Sequence, residues 1–504
     1  MSDVDASSSV HDEPVLVDVP GARTDLGLAH HHDTPDTGSP APTEASVPNV
    51  TIPSHRLPPG FRGPIPRAHD AEDIAPVPVW TPCTSETLPD GLGLTPHLPM
   101  NKGGWRYMAA GPSAHTLPWT VYRSLEIAPE GVHWSWQDRS AFTRISQDAM
   151  VVGADKGFRS VRTNLGVREG AWYVELDVLP PDASSMPTKP MRDGPHVRLG
   201  WGRREASLNA PVGWDAYSYG LRDQNGACVS KSHLVPLGRP FGPGDVVGMY
   251  IRLPPVDAAR APGTESRIQQ KRIPIRYKGQ LYFESLEYAP TREMLALMDE
   301  QRGSGSVWTS TTTSQADEKR PRGRSAPSSH ERQQPTLRPL PTLEDSCIGF
   351  VVNGEPQGMA FTELYDYRPL LPKPKKRRHP SEITAHTNIS AILKSRENEL
   401  DDGMLGYYVM ASMYGGARVR LRTDEFRYPP PADLEDQLWR AGCPSGVSAQ
   451  RQTAAPPWKP LAARYQQALD EARHLDLAEE ASVAAKLDTG EAKAESHEAN
   501  VRTV

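Results

Sequence analysis

The sequence predicts an all-β protein, a two-sheet antiparallel β-sandwich with long inserts, and three observations lead to this fold class. Proline contributes 51 of 504 residues and glycine 40. A proline inside a helix costs about 3 kcal/mol, so a mainly helical protein is excluded. Apolar and polar residues alternate in several short runs, which is typical of half-buried strands. Gly/Pro turns separate these runs, as in sandwiches of many short strands.

Charge and cysteine spacing exclude several classes of protein. The net charge is −6, so the whole chain is not a polycation that coats nucleic acid. The four cysteines lie more than ninety residues apart and form no Cys-x-x-Cys pair. Zinc ribbons, RING fingers and PHD fingers are therefore excluded. We expect a soluble intracellular protein, because the polar N-terminus has no signal-peptide core and no apolar run reaches the ~20 residues of a membrane helix.

The composition changes along the chain and predicts its domain organisation. Seven of the eleven tryptophans fall between positions 105 and 214, which indicates a folded core there. Polar, Pro-rich segments flank and interrupt this core, and they are predicted to be disordered. The predicted organisation is a disordered region 1–100, a sandwich 101–431 with inserts 180–195, 303–341 and 370–402, a linker 432–455, a helical segment 456–488 and a disordered tail 489–504.

Strand phase predicts which side chains face the core. Residues two apart lie on the same face of a strand. The run 246–253 is apolar on both faces, which suits a central strand. In the first strand, Trp172, Val174, Leu176 and Val178 are predicted to face the core, and Tyr173, Glu175 and Asp177 lie on the opposite face. The other two predicted core faces are Val197, Leu199 and Trp201, and Tyr217, Tyr219 and Leu221.

Two glycine-containing turns predict hairpins. Asn353–Gly354 is a favoured type I′ turn, and strands of alternating pattern precede and follow it. Gly415–Gly416 is predicted to join residues 407–414 to a strand that contains Val419 and Leu421. Three consecutive prolines, 429–431, then end the sandwich, because proline cannot donate to a ladder.

One segment, 460–487, has a convincing helical pattern. Pro460 stands where a proline at the first helical position would. About 25 loop-like residues separate this segment from the sandwich, so we expect its apolar stripe to pack on another chain and not on its own domain. The stripe consists of Leu461, Tyr465, Ala468, Leu469, Ala472 and Leu475.

Signatures of catalysis are absent from the sequence. It contains no Gly-x-Ser-x-Gly elbow, P-loop, dinucleotide fingerprint or His-Glu-x-x-His motif. The carboxylate pair Asp401 and Asp402 lies in a polar segment and is expected to be solvated. We therefore predict no catalytic residue, no cofactor and no metal site, and a chain that is not an enzyme by itself.

Two arginines are out of phase with the core faces. Arg198 lies between Val197 and Leu199, and Arg222 follows Leu221, so both point away from the core. Two arginines on the outer face of neighbouring strands can bind a carboxylate or phosphate in bidentate fashion. Pro211 and Trp214, in the intervening loop, could form an apolar wall beside them. A pair of solvated surface arginines remains the alternative at this point.

Several motifs resemble those of SPRY domains, and more narrowly the SPRY subunit of COMPASS (trithorax-type) complexes, which methylate lysine 4 of histone H3. The resemblance covers about residues 105–431 and resumes in the C-terminal helix. Its most specific elements are Trp-Asp-x-Tyr-Ser-Tyr at 214–219 and Tyr-Pro-Pro at 428–430. The other matching runs are 157–162, 166–175, 197–201, 210–213, 244–248, 277–284 and Val-Asn-Gly at 352–354.

The resemblance implies a nuclear, non-catalytic scaffold. Longer members of the family also carry a PHD-like and winged-helix module; we expect this chain to be a short form without it, because it has no Cys cluster and its first hundred residues are predicted to be disordered. Its implied partners are a SET-domain methyltransferase, a WD-repeat subunit with an acidic segment and a small dimeric helical subunit. The implied acidic-peptide pocket is Phe158, Arg198, Pro211, Trp214 and Arg222, where Phe158 and Trp214 replace the family's usual tyrosines and lose a hydroxyl each. The implied docking residues for the dimeric subunit are Trp458, Pro460, Leu461, Tyr465, Leu469, Ala472 and Leu475.

Two other kinds of SPRY protein remain as alternatives. The first is a substrate adaptor of a ubiquitin ligase, although no recruiting element rich in cysteine or leucine is visible. The second is a nucleic-acid-associated protein, which a basic run in the third insert favours. We interpret this run as a nuclear-localisation signal, with nucleosomal DNA contact as the other interpretation; it consists of Lys373, Lys375, Lys376, Arg377 and Arg378.

Overall fold

A computed structural model describes the folded part of the chain, and every structural statement below concerns these residues. The described residues are 79–83, 91–95, 107–109, 111–112, 122–123, 126, 129–181, 194–256, 269–270, 273–278, 280–286, 288, 291–301, 337–370, 400–444 and 456–488. The basic run 373–378 lies outside them.

Short strands dominate the described residues, as the alternating pattern predicts. The first eight are β1 (Thr81–Pro82), β2 (Leu92–Leu94), β3 (Met108–Ala109), β4 (Gly111–Pro112), β5 (Tyr122–Arg123), β6 (Trp134–Arg139), β7 (Arg144–Ser146) and β8 (Val151–Ala154). The next seven are β9 (Arg159–Thr163), β10 (Gly170–Leu179), β11 (His196–Gly202), β12 (Ser218–Arg222), β13 (Ala227–Ser230), β14 (His233–Pro236) and β15 (Val246–Leu253).

The remaining strands are interspersed with three helices. The strands are β16 (Gln269–Gln270), β17 (Pro274–Tyr277), β18 (Gln280–Phe283), β19 (Cys347–Val352), β20 (Glu355–Thr362), β21 (Leu400–Asp401), β22 (Tyr408–Tyr414), β23 (Ala417–Arg422) and β24 (Lys459–Pro460). The helices are α1 (Arg292–Gln301), α2 (Leu434–Ala441) and α3 (Ala463–Asp488).

Two large sheets form a β-sandwich, which confirms the predicted fold class. The first sheet has the strand order β1-β2-β7-β8-β23-β10-β15-β19-β20, and β24 pairs with β10. The second sheet has the order β14-β13-β12-β11-β22-β9-β6. Their neighbouring strands are antiparallel, and β24 is the exception because it runs parallel to β10. Small sheets of two or three strands (β3 with β17 and β18, β4 with β5, and β16 with β21) complete the described strands.

The core between the sheets contains the faces that strand phase predicts. Trp172, Val174, Leu176 and Val178 of β10 share one buried cluster with Val197, Leu199 and Trp201 of β11 and with Tyr219 and Leu221 of β12. Tyr217 differs from the prediction. The strand β12 begins only at Ser218, and Tyr217 packs in a separate cluster with Val212 and Met294.

The outer face of the first sheet is also buried, which the alternation of β10 does not indicate. Glu175 is only 1% exposed. Tyr173 packs with Leu434 and Leu438 of α2. This helix lies within the predicted linker 432–455, so the linker is shorter than we expected. With only eight residues, α2 is too short to give a clear helical periodicity in the sequence.

The Asn353–Gly354 turn is confirmed, whereas Gly415–Gly416 joins strands of different sheets. Asn353 and Gly354 have φ angles of 51° and 81°, and Val352 pairs with Glu355 across the turn. Gly415 and Gly416 also have positive φ, but β22 pairs with β11 and β9 while β23 pairs with β10 and β8. This glycine pair is therefore a corner between the two sheets and not a hairpin.

Two segments that we predicted to be disordered contribute to the fold. Strand β2, inside the predicted region 1–100, pairs with β7. At the end of the third insert, Asp401 and Asp402 are buried and not solvated. The Asp402 carboxylate accepts hydrogen bonds from the Tyr288 hydroxyl (2.5 Å) and the Leu286 amide (3.1 Å). Burial, followed by the neighbouring charge of Asp401, raises the pKa of Asp402.

The C-terminal segment begins as part of the sandwich. Residues of β24 pair with Trp172 and Tyr173, and the Leu461 amide donates to the Tyr173 carbonyl (3.0 Å). The Leu461 side chain is 1% exposed and, with Ala468, belongs to the core between the sheets. We expected this stripe to pack on another chain. Its first two turns pack on their own domain instead.

Neither a membrane-spanning helix nor a metal cluster is found in the described part of the chain. No helix there combines the length and apolar composition that a bilayer crossing requires. Within the same residues, no group of three or more His, Cys, Asp or Glu side chains is arranged to hold a metal ion.

Candidate functional site: a basic and aromatic pocket

The two out-of-phase arginines lie directly opposite each other on the outer face of the second sheet. Arg198 of β11 pairs in register with Arg222 of β12, and on its other side with Ser412 of β22. Like charges directly opposite each other destabilise a strand pair. Arg198 is nevertheless only 9% exposed, while Arg222 is half-buried and donates to the Oε1 atom of Gln224. An anion bound between the two guanidinium groups would relieve their repulsion.

Phe158 lies beside Arg198. The Arg198 guanidinium carbon is 5.4 Å from the centre of the Phe158 ring, within the range of a cation–π contact. The Phe158 ring packs in turn on Tyr414, with centroids 5.2 Å apart. The Phe158 ring therefore contacts the guanidinium group of Arg198 and is supported on its other side by Tyr414.

Pro211 is held next to Arg198 by two serines of the sheet. The Ser412 hydroxyl accepts from the Val212 amide (2.8 Å), and the Ser160 hydroxyl donates to the Ala210 carbonyl (2.7 Å). These bonds fix the residues on both sides of Pro211. Since Ser412 is the register partner of Arg198, Pro211 lies over the strand adjacent to the arginine.

Trp214 is positioned at the other end of the same loop. Its amide donates to the Pro211 carbonyl (3.0 Å), and its carbonyl accepts from the Ser232 hydroxyl (2.9 Å) in the turn between β13 and β14. The buried carboxylate of Asp215 accepts from the Tyr217 amide and the Ser218 hydroxyl, both at 3.0 Å. This network explains the spacing of the Trp-Asp-x-Tyr-Ser-Tyr motif: its Asp and Ser hold the loop that carries Pro211 and Trp214.

The loop can approach the sheet because β12 has glycine at position 220. A Cβ atom added there would lie 2.9 Å from Cγ1 of Val212. We expect Gly220→Ala to lower the free energy of unfolding by about 1–3 kcal/mol, because overpacking forces the loop away from the sheet. Urea unfolding measures this. Gly242→Ala is the matched control, since no atom lies within 4 Å of its added Cβ; an equal loss in both variants would contradict the packing argument.

Three further residues at this site were not found by sequence reasoning. His196 of β11 and Tyr414 of β22 are register partners with stacked rings, 6.2 Å between centroids. The amide nitrogen of Gln224 lies 2.9 Å from the Nε2 atom of His196. The phase argument that found Arg198 also places His196 on the same face, two residues earlier. Tyr414 and Gln224 required knowledge of strand pairing.

The C-terminal docking residues divide into two groups in the structure. Trp458 packs on Tyr173 (5.7 Å between centroids) and donates to the Pro431 carbonyl, and Pro460 lies in β24. Tyr465 packs against the core, as Leu461 does. Leu469 and Ala472 are half-buried, and Leu475 lies further along α3. Beyond Ala468, α3 has twenty more residues, about 30 Å of helix, and Leu477 there is 45% exposed.

The fold defines a class of protein, an all-β protein built as a two-sheet sandwich. No family model matches the chain. It is 34% identical over 372 residues to the Set1 complex component ash2 of Schizosaccharomyces pombe, covering 74% of this chain and 46% of that protein. It is 33% identical over 345 residues to the COMPASS component cclA of Colletotrichum higginsianum (62% and 54% covered), and 23% identical to the COMPASS component BRE2 of Saccharomyces cerevisiae (70% and 83%).

These relatives confirm the resemblance: the chain is similar to the Ash2, cclA and Bre2 components of Set1 and COMPASS complexes. The chain spans about half the length of the first two relatives that it matches. Among solved structures, it is similar to a human SPRY domain, with 10% identity, a TM-score of 0.24 and coverage of 56% of this chain and 97% of that one.

Proposed function

We propose that the chain is a non-catalytic scaffold subunit of a nuclear histone H3 lysine 4 methyltransferase complex, in which Arg198 and Arg222 bind an acidic segment of a WD-repeat subunit. The observation that carries the proposal is the direct pairing of these two arginines beside Phe158 and Pro211. The Set1 and COMPASS names of the relatives support the complex to which the pocket is assigned.

The chemistry of the pocket favours a carboxylate-rich peptide. Two guanidinium groups on adjacent strands can each form two parallel bonds to a carboxylate. The rings of Phe158 and Tyr414 offer an apolar surface on which a peptide backbone can pack. Phe158 lacks the hydroxyl group of the tyrosine that is usual at this position in the family. The arginines therefore contribute the larger share of the affinity.

The distal part of α3 is proposed to bind the small dimeric helical subunit. Its docking face comprises Leu469, Ala472 and Leu475 and continues to Leu477. The earlier residues Trp458, Pro460, Leu461 and Tyr465 hold the segment on the sandwich and so orient the helix for the partner. The start of the segment thus anchors the helix on the sandwich, and the rest of the helix recognises the partner subunit.

Affinity purification of the full chain from nuclear extract tests the proposed assembly. We expect a SET-domain protein, a WD-repeat protein and a small dimeric helical protein to co-elute, and the purified chain alone to transfer no methyl group to histone H3. A purification that yields ubiquitin-ligase subunits without a SET-domain protein would contradict the proposal. Methyl transfer by the chain alone would also contradict it.

A further inference from the structure

A cavity adjoins the arginine pair. This cavity, of about 210 Å³, lies at the end of the sandwich where β10, β11 and β23 meet the loop 240–243. His196 and Gln224, which border the arginine pair, also line this cavity. The rest of its lining is mostly apolar: Val178, Leu179, Pro240, Phe241, Pro243 and Ala417.

Hydrogen bonds hold the walls of the cavity in place. The Asp223 carbonyl accepts from the Phe241 amide (3.0 Å), and its carboxylate accepts from the Val197 amide (3.0 Å) and lies 3.0 Å from Nδ1 of His196. In the same loop as Phe241, the Gly242 amide donates to the Asp245 carboxylate (2.8 Å). The cavity is therefore formed before a ligand binds, and filling it requires little reorganisation.

The spacing between the two sites matches the repeat of an extended peptide. His196 and Arg198 lie on the same face of β11, two residues apart, which corresponds to about 7 Å. In an extended peptide, side chains two residues apart also point to the same side and are separated by about 7 Å. A peptide whose carboxylate lies between the arginines can thus direct a neighbouring side chain to the mouth of the cavity.

We propose that this cavity receives an apolar side chain of the acidic ligand, two residues from the carboxylate that lies between Arg198 and Arg222. The inference rests on the proposed function and adds a specificity element to it: charge alone does not select the segment. A dry cavity of about 150 Å³ accommodates benzene, so the volume here admits an aromatic ring or a branched aliphatic side chain.

Fluorescence anisotropy with synthetic peptides on the full chain tests the spacing. The peptides consist of serine and glycine around a central pair of glutamates, with one phenylalanine placed two residues before or two residues after the pair. In two controls, alanine replaces this phenylalanine, or the phenylalanine is moved one position further from the pair. We expect one of the two-residue placements to bind about 10- to 100-fold tighter than both controls, the gain from burying one large apolar side chain.

A blocking variant connects this gain to the cavity. Gly242 lines the cavity, and an added Cβ there meets no atom within 4 Å, so we expect Gly242→Leu to extend an apolar side chain from the cavity wall. The variant is expected to bind the phenylalanine and alanine peptides equally. Ala481→Leu, at an exposed position of α3, adds a leucine elsewhere and should keep the difference.

The outcomes separate this inference from the proposed function. If no acidic peptide binds, or if Arg222→Glu leaves binding unchanged, the basic pocket itself is overturned. If Arg222→Glu abolishes binding but phenylalanine confers no gain at either placement, only the cavity proposal is overturned. A gain that appears only after residues 183–193 are deleted would also overturn it, because the chain's own insert would then be the occupant.

Discussion

Arg222→Glu is expected to abolish binding of a glutamate-rich peptide, with a loss of affinity of at least about 100-fold. Each charge-assisted hydrogen bond contributes about 1.5–3 kcal/mol, and the substitution removes the bonds of one guanidinium and adds a repelling carboxylate. Thermal unfolding should change little. Arg222 is half-buried, and a glutamate there would lie opposite Arg198, so an attractive pair replaces a repulsive one.

Arg440→Glu is the matched control for this experiment. Arg440 lies on α2, and its side chain is 70% exposed. This helix packs on the outer face of the first sheet, whereas the pocket lies on the outer face of the second. The same change of charge there should leave peptide affinity within about twofold, because exposed charges separated by more than a Debye length are largely screened. Equal losses in both variants would indicate non-specific attraction and would reject the pocket.

Leu461→Ala is expected to lower the free energy of unfolding by about 2–5 kcal/mol, the cost of removing a fully buried leucine from a packed core. Leu461 is 1% exposed and lies between the sheets. A residue that served only to bind a partner would not affect the unfolding of the chain alone. Chemical denaturation monitored by tryptophan fluorescence measures the effect, and an unchanged midpoint would show that the segment is not part of the domain.

The exposed end of α3 supplies the contrasting substitution. Leu477→Asp changes a side chain that is 45% exposed. It should therefore leave the unfolding of the isolated chain within about 0.5 kcal/mol, as is usual for surface positions. If the distal helix is the docking face, the same substitution should weaken capture of a small dimeric helical subunit. Capture that survives Leu477→Asp but not Leu461→Ala would reverse the proposed division of the helix.

Anchoring of the C-terminal segment depends on long-range contacts that no local pattern reveals. The Arg464 side chain is buried and donates through Nε to the carbonyl of Gly166 (2.8 Å), almost three hundred positions earlier. A helical stripe of apolar residues has the same appearance in sequence whether it packs on its own domain or on a partner. Only the position of the preceding strand β24, beside Trp172 and Tyr173, decides between these alternatives.

The buried polar residues provide a second example. Asp402 and Glu175 occur in sequence contexts that suggest solvated side chains, yet both are buried. Glu175 accepts hydrogen bonds from the amides of Arg427 (2.6 Å) and Tyr428 (3.1 Å), just before the three prolines 429–431. Burial raises the pKa of Glu175, and these amide bonds act in the opposite direction. A residue's type does not determine its exposure when its hydrogen-bond partners come from distant segments.

The sequence by itself determined the fold class, the core faces of β10 and β11, the turn at Asn353–Gly354 and the outward direction of Arg198 and Arg222. These features follow from the two-residue period of a strand and from local turn chemistry, which act over a few neighbouring positions. The tertiary structure alone decided that the two arginines are register partners, that Gly415–Gly416 is a corner between sheets, and that Leu461 is a core residue. Each of these depends on pairing between segments far apart in the chain, and such pairing is set by the packing of the whole domain.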